Sequence, residues 1–134
     1  MVKKGIKQLI AEAEKRSTGI SIEEAKQRHG DSKTVFVDLR DVRELEREGM
    51  IPGAFHAPRG MLEFWVDPES PYFKPVFGED KTFILYCQAD WRGTLAAATL
   101  ADMGMENVLH LEGGFGEWRK AGAPTGPRPE KKKA

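Results

Sequence analysis

Apolar positions near the start of the chain recur three and four residues apart. Ile6, Leu9, Ile10 and Ala13 fall on one face of "GIKQLIAEAEKR", which predicts an amphipathic helix. "TGI" is a brief strand, and "SIEEAKQRHG" is a short helix with Ser21 and Glu24 at capping-box spacing and Gly30 as its stop. The pattern then turns from periodic to continuous. "KTVFVDL" is β-branched and apolar, a buried strand, and the charged "DVRELEREG" is a helix that ends at Gly49. "MIPGAFHAP" gives a turn and a short strand between prolines. "RGMLEFWVDPESPYFKPVFGED", dense in aromatics and prolines, gives a short helix and an irregular, lid-like loop. "KTFILYC" is a second strongly apolar strand, and "DWRGTLAAATLADMG" is a helix with Ala96, Leu100 and Met103 on one face and Gly104 at its end. "ENVLHL" is a further strand, and "GGFGEWRKAGAP" is a glycine turn into a last helix.

Strands that alternate with helices, each strand nearly continuous in apolar residues, predict an α/β fold: a parallel sheet covered by helices on both faces. Ligands of such sheets bind beyond the carboxyl ends of the strands. The single cysteine of the chain, Cys87, stands at one of those ends.

Composition narrows the function. A chain of 134 residues forms one domain and folds without disulfides or metal. Lysine plus arginine equals aspartate plus glutamate, 21 each, which argues against nucleic acid or anionic membrane as the main partner. No apolar run approaches the ~18 residues of a membrane helix, and the charges scattered through "MVKKGIKQLIAEAEKR" predict no secretory leader. A lone thiol fits the cytoplasm. No grouping of histidine, cysteine and carboxylates has zinc spacing, and no cofactor is expected. The expected division is a helical extension over 1–17, the domain proper over 18–124, and a basic, disordered tail over 125–134.

The chemistry concentrates after Cys87. The loop from Gln88 to Arg92 feeds a helix whose first N–H groups lack intrahelical partners; donors curled around the sulfur would stabilise a thiolate. Arg92 opposes the helix dipole in the first turn, a local rule broken without an evident structural gain, and a planar guanidinium there would hold an oxyanion. The bland reading is that a free cysteine ending a buried strand is only a small hydrophobe. The strand end, the arginine and the helix together weigh against it.

These residues resemble the rhodanese (sulfurtransferase) family over about Thr18 to Pro124. "VFVDLRDVRELEREGMIPGAFHAPRG" is similar to the family's first signature, with Met50 where histidine is usual. "YCQADWRGTLAAATLADMGMENVLHLEGGFGEWRKAG" is similar to the second, with the cysteine loop and the terminal "EGGFGEW". The resemblance implies a five-stranded parallel sheet flanked by helices and a transfer of sulfane sulfur through a persulfide on Cys87. It implies that the amides of Gln88, Ala89, Asp90, Trp91 and Arg92 cradle that sulfur, and that Asp38 and Arg40 are structural. Related phosphatases carry a loop one residue longer; four residues between Cys87 and Arg92 make a tighter cradle, suited to sulfur. Active members commonly have serine-glycine where this chain has Ala89 and Asp90. Aspartate tolerates positive φ at some cost. Its carboxylate either sits beside the sulfur and raises the thiol pKa, or caps the helix and points away.

Arg59 is the second candidate anchor for a thiosulfate-like donor, against a solvated surface arginine. His56 is read as a structural histidine at another strand end. Trp91 is read as a pocket rim or a partner contact, and Phe64, Trp65, Tyr72 and Phe73 as packing. Gly113, Gly114 and Trp118 set a tight turn and a packing anchor. His29 and His110 carry no role legible in the sequence. The expected partners are a small sulfur donor and a thiol, cyanide or protein acceptor. With no second cysteine, the acceptor comes from outside. The rival functions are a non-catalytic binding or sulfur-carrier module, and a cysteine-dependent phosphatase or arsenate-reductase-like enzyme. The oligomeric state is not legible.

Overall fold

The computed structural model describes residues 1–129, and its elements follow the polar and apolar pattern closely. Helix α1 (Ile6–Glu14) buries Ile10 and Ala13 but leaves Ile6 and Leu9 largely exposed, so only half of its apolar face is used. Strand β1 (Gly19–Ile20) leads into α2 (Ile22–Arg28), where the Ser21 hydroxyl accepts from the Glu24 N–H. Strand β2 (Thr34–Asp38) is followed by α3 (Val42–Glu48), whose start is fixed by a capping box between Asp41 and Glu44. Strand β3 (Phe55–His56) precedes a 3₁₀ turn and α4 (Leu62–Val66). Strand β4 (Thr82–Tyr86), α5 (Trp91–Asp102), β5 (Val108–Leu111) and α6 (Gly114–Lys120) complete the order.

The five strands form one parallel sheet in the order β1-β5-β4-β2-β3. Alternation along the central strands divides the core in two. Val37, Phe83 and Leu85 point to one face with Leu62, Ala97 and Leu100. Phe36, Ile84 and Tyr86 point to the other with Ala25, Phe115 and Trp118. Both faces are therefore covered, which is why the strands read as unbroken apolar runs.

Two expectations change. The aromatic and proline-rich segment after α4, expected as an irregular, lid-like loop, is anchored in the core. Its Phe77 is buried and packs on Phe55 and Phe83, with ring centroids 5.5 Å apart in each pair. Phe83 begins the apolar run of β4, whereas Cys87 follows that strand's carboxyl end, so the segment serves the core. Residues 125–129, expected as the start of a disordered tail, are tied down instead. Met50 and Gly126 exchange backbone hydrogen bonds at 2.8 and 2.9 Å, and Arg128 pairs with Glu46 at 3.1 Å. Gly49 permits this approach: a Cβ there would stand 2.6 Å from the Gly126 carbonyl oxygen. The rest of the expected tail, 130–134, lies outside the described residues.

Candidate active site

Strand β4 lies between β2 and β5, with Tyr86 in register with Asp38, so the residue after it emerges at the middle of the carboxyl edge. That residue is Cys87, 1% exposed. The glycine turn before α6 holds the loop stem from behind. Phe115 N–H donates to the Cys87 carbonyl at 2.8 Å and Gly116 N–H to that of Gln88 at 3.1 Å. Gly114 has φ +64°, and a Cβ on it would stand 2.6 Å from the Cys87 carbonyl oxygen. Only glycine meets both demands.

Asp90 turns the loop into α5. Its φ of +78° makes it the one non-glycine residue with positive φ among the described residues. Its carbonyl accepts from both the N–H and the hydroxyl of Thr94, at 2.8 and 2.9 Å. Its carboxylate makes no capping bond to α5; it turns to Nδ1 of His110 on β5, at 2.8 and 3.0 Å. The turn leaves Gly93 beneath that carboxylate, where a Cβ would stand 2.7 Å from Oδ1. Gly93 N–H reaches Cys87 Sγ at 3.4 Å. The amide bonded to Sγ belongs to Gly93, one residue beyond the Gln88–Arg92 span in which the cradle was expected.

Arg92 is also not the solitary cation its position implied. It makes a two-pronged pair with Glu44 of α3, Nη1 to Oε1 at 2.9 Å and Nη2 to Oε2 at 3.1 Å. That contact is the structural gain that the sequence hid. The bond to Arg92 holds the Glu44 carboxyl below the usual glutamate range despite partial burial. The same bond, with a smaller part from Cys87, raises the arginine pKa. Arg92 is thus held by Glu44, with its side chain 38% exposed.

A buried support lies beneath. Arg40 and Asp38, both wholly buried, pair at 2.8 Å, and Arg40 also donates to the Gly49 carbonyl at 2.7 Å and to Gln88 Oε1 at 3.3 Å. Its guanidinium sits 4.2 Å from the Phe115 ring centroid. Burial opposes the charge, but Asp38 outweighs it and the arginine pKa is raised. Burial above all, and then the charge of Asp38, pushes up the pKa of Tyr86, whose hydroxyl accepts from the Ile51 N–H at 3.1 Å. His56 bonds through Nε2 to the Arg40 carbonyl at 2.7 Å.

The structure thus brings Cys87, Gly93, Arg92 and Glu44 together, with Gln88 turned toward Arg40. Arg59 is engaged elsewhere, by Glu63 at 2.6 Å. Ala89 and Trp91 are exposed; they border a cleft of about 540 Å³ with Glu14, His110 and Glu112. Among the described residues no cluster suits a metal ion. Sequence reading missed Glu44, Gly93 and His110. A polar residue inside the apolar "VLHL" was the one available signal; nothing set Glu44 apart from other charges on α3. An enclosed thiol with an amide donor and an arginine beside it is equipped to carry charge on sulfur.

Comparison with known proteins agrees with this architecture. The model of the rhodanese-like domain family matches residues 21–121. A sulfurtransferase of Allochromatium vinosum is 31% identical over 106 residues, covering 78% of this chain and 91% of that one. The uncharacterized protein slr1261 of Synechocystis is 35% identical over 91 residues, 68% of this chain; the match spans 46% of that protein, about half its length. The solved structure of RPA3614 from Rhodopseudomonas palustris, a protein of unknown function described as a possible tyrosine phosphatase, is 50% identical. It superposes with a TM-score of 0.91 over 94% of this chain and 97% of that one.

Proposed function

The chain belongs to the rhodanese-like domain family, and from that premise we propose that it is a sulfurtransferase carrying sulfane sulfur as a persulfide on Cys87. The Cys87 thiolate attacks the outer sulfur of a thiosulfate-like donor. The sulfur–sulfur bond of the donor breaks, sulfite leaves with the electron pair, and Cys87 holds the added sulfur. Cyanide or an external thiol then attacks that sulfur and restores the thiolate. Gly93 N–H stabilises the thiolate at Sγ before the attack and as it is restored, and Arg92 receives the donor's oxyanion. Gln88, Ala89, Asp90 and Trp91 shape the loop, Asp38, Arg40 and His56 support it, and Arg59 contributes after release from Glu63. No cofactor takes part, and a reducing cytoplasm keeps the thiol free.

The observation that carries this reading is the Gly93 amide directed at Sγ inside a loop with four residues between Cys87 and Arg92. The description of RPA3614 favours a second reading, phosphate ester hydrolysis. The two part at a single assay pair. Sulfurtransfer predicts thiocyanate formation from thiosulfate and cyanide, lost in Cys87→Ser, and no hydrolysis of p-nitrophenyl phosphate. Cys87-dependent release of p-nitrophenol without thiocyanate reverses the assignment.

A further inference from the structure

The pair between Asp90 and His110 has no part in the chemistry just described, yet it ties the loop to the neighbouring strand. Their side chains are 15% and 8% exposed. Asp90 occupies a left-handed backbone region that favours glycine, and its carboxylate, as bound to His110, lies against Gly93, whose N–H serves the sulfur. We propose that His110 is a positioning residue: by binding the Asp90 carboxylate it holds the left-handed turn, and through that turn it aims the Gly93 amide at Cys87. The inference deepens the sulfurtransferase reading, on which its role in turnover rests.

The geometry links the parts in series. Thr94 grips the Asp90 carbonyl and His110 grips its carboxylate, so the turn is fixed at both ends. Gly93 lies between Asp90 and Thr94 in α5, and its orientation follows from theirs. His110 is held in turn by β5, in register with Leu85 two residues before the cysteine. Without His110 the enclosed carboxylate loses its donor, and it must seek solvent by distorting the turn or remain as a negative charge near the thiolate. Both outcomes disfavour anionic sulfur. Glycine at position 90 needs no such partner, because it tolerates positive φ and carries no charge.

The test is a double-mutant cycle read by the rate of Cys87 alkylation with iodoacetamide at pH 7, which reports the thiolate independently of sulfur transfer. His110→Leu keeps the volume and removes the donor; alkylation is expected to fall about tenfold, the equivalent of one pKa unit. His110→Asn keeps a donor near the Nδ1 position and is expected to stay within about twofold of wild type. In the Asp90→Gly background, His110→Leu is expected to change the rate by less than about twofold. Equal losses from His110→Leu in both backgrounds, or none in either, would overturn the proposal. If His110→Leu fails to fold alone, folding of the Asp90→Gly double variant with alkylation matching that of Asp90→Gly supports the proposal, and its failure to fold assigns His110 to packing. Should alkylation follow the cycle while no variant forms a persulfide, the coupling stands and the sulfurtransferase reading falls.

Discussion

Glu44 decides how Arg92 meets an incoming anion. The carboxylate already occupies both prongs of the guanidinium, so a thiosulfate-like donor must compete with it. A partly exposed ion pair contributes about 1 kcal/mol at most, so Glu44→Gln is expected to lower KM for thiosulfate by roughly threefold to fivefold with kcat little changed. An unchanged or raised KM would remove Arg92 from donor binding. The pair also has a pH signature. Because Arg92 lowers the Glu44 pKa below its ordinary 4.5, the pair's contribution is present above that value and is lost as pH falls through the lowered one. Urea titrations should therefore show wild type ahead of Glu44→Gln at neutral pH, with the difference closing as pH falls well below the ordinary glutamate range. A difference that persists there would mean that the pair is not its source.

The elements act on the site through their ends. Strand β4 delivers Cys87, α5 begins at the turn that supplies Gly93, and the glycine stretch entering α6 braces the loop stem. Gly114 is where this bracing is least tolerant, since its φ is positive and a side chain would strike the Cys87 and Gln88 backbone. Gly114→Ala is expected to cost about 1–3 kcal/mol in chemical unfolding and to slow Cys87 alkylation together with it. Gly60→Ala, at a site with nothing within 4 Å of the added carbon and an ordinary φ, is the matched control and should cost far less. Comparable effects in the two variants would show that the glycine turn does not brace the loop.

Across the whole molecule, one parallel sheet with both faces covered places a single thiol at the centre of its carboxyl edge. Helix α1 is part of that covering: Ile10 and Ala13 are buried, and Arg16 pairs with Asp102 at the end of α5. Removing residues 1–17 is expected to cost roughly 2–3 kcal/mol, most of it from Ile10, and to lower the thermal midpoint accordingly. An unchanged midpoint would make the helix dispensable. The strands and helices were legible in the sequence because each follows from local pattern: continuous β-branched runs, Ser21 as a cap, glycines at helix ends. The pairs that tune the site were not. Glu44 and Arg92 lie 48 residues apart, and Asp90 and His110 lie 20 apart; both contacts are set by strand order and register, which no window of sequence contains. The aromatic loop misled for a different reason: chain order already puts it at the amino end of β4, but the burial of Phe77 against Phe55 and Phe83 is a long-range contact.

The claim beneath all of this is that the enclosed thiol of Cys87 accepts and holds a sulfur atom. Intact mass spectrometry after incubation with thiosulfate addresses it without an acceptor or a coupled assay. The account predicts a gain of one sulfur atom by the wild-type chain, reversed by cyanide and missing from Cys87→Ser. A wild-type mass that stays unchanged, or the same gain in the serine variant, would contradict it.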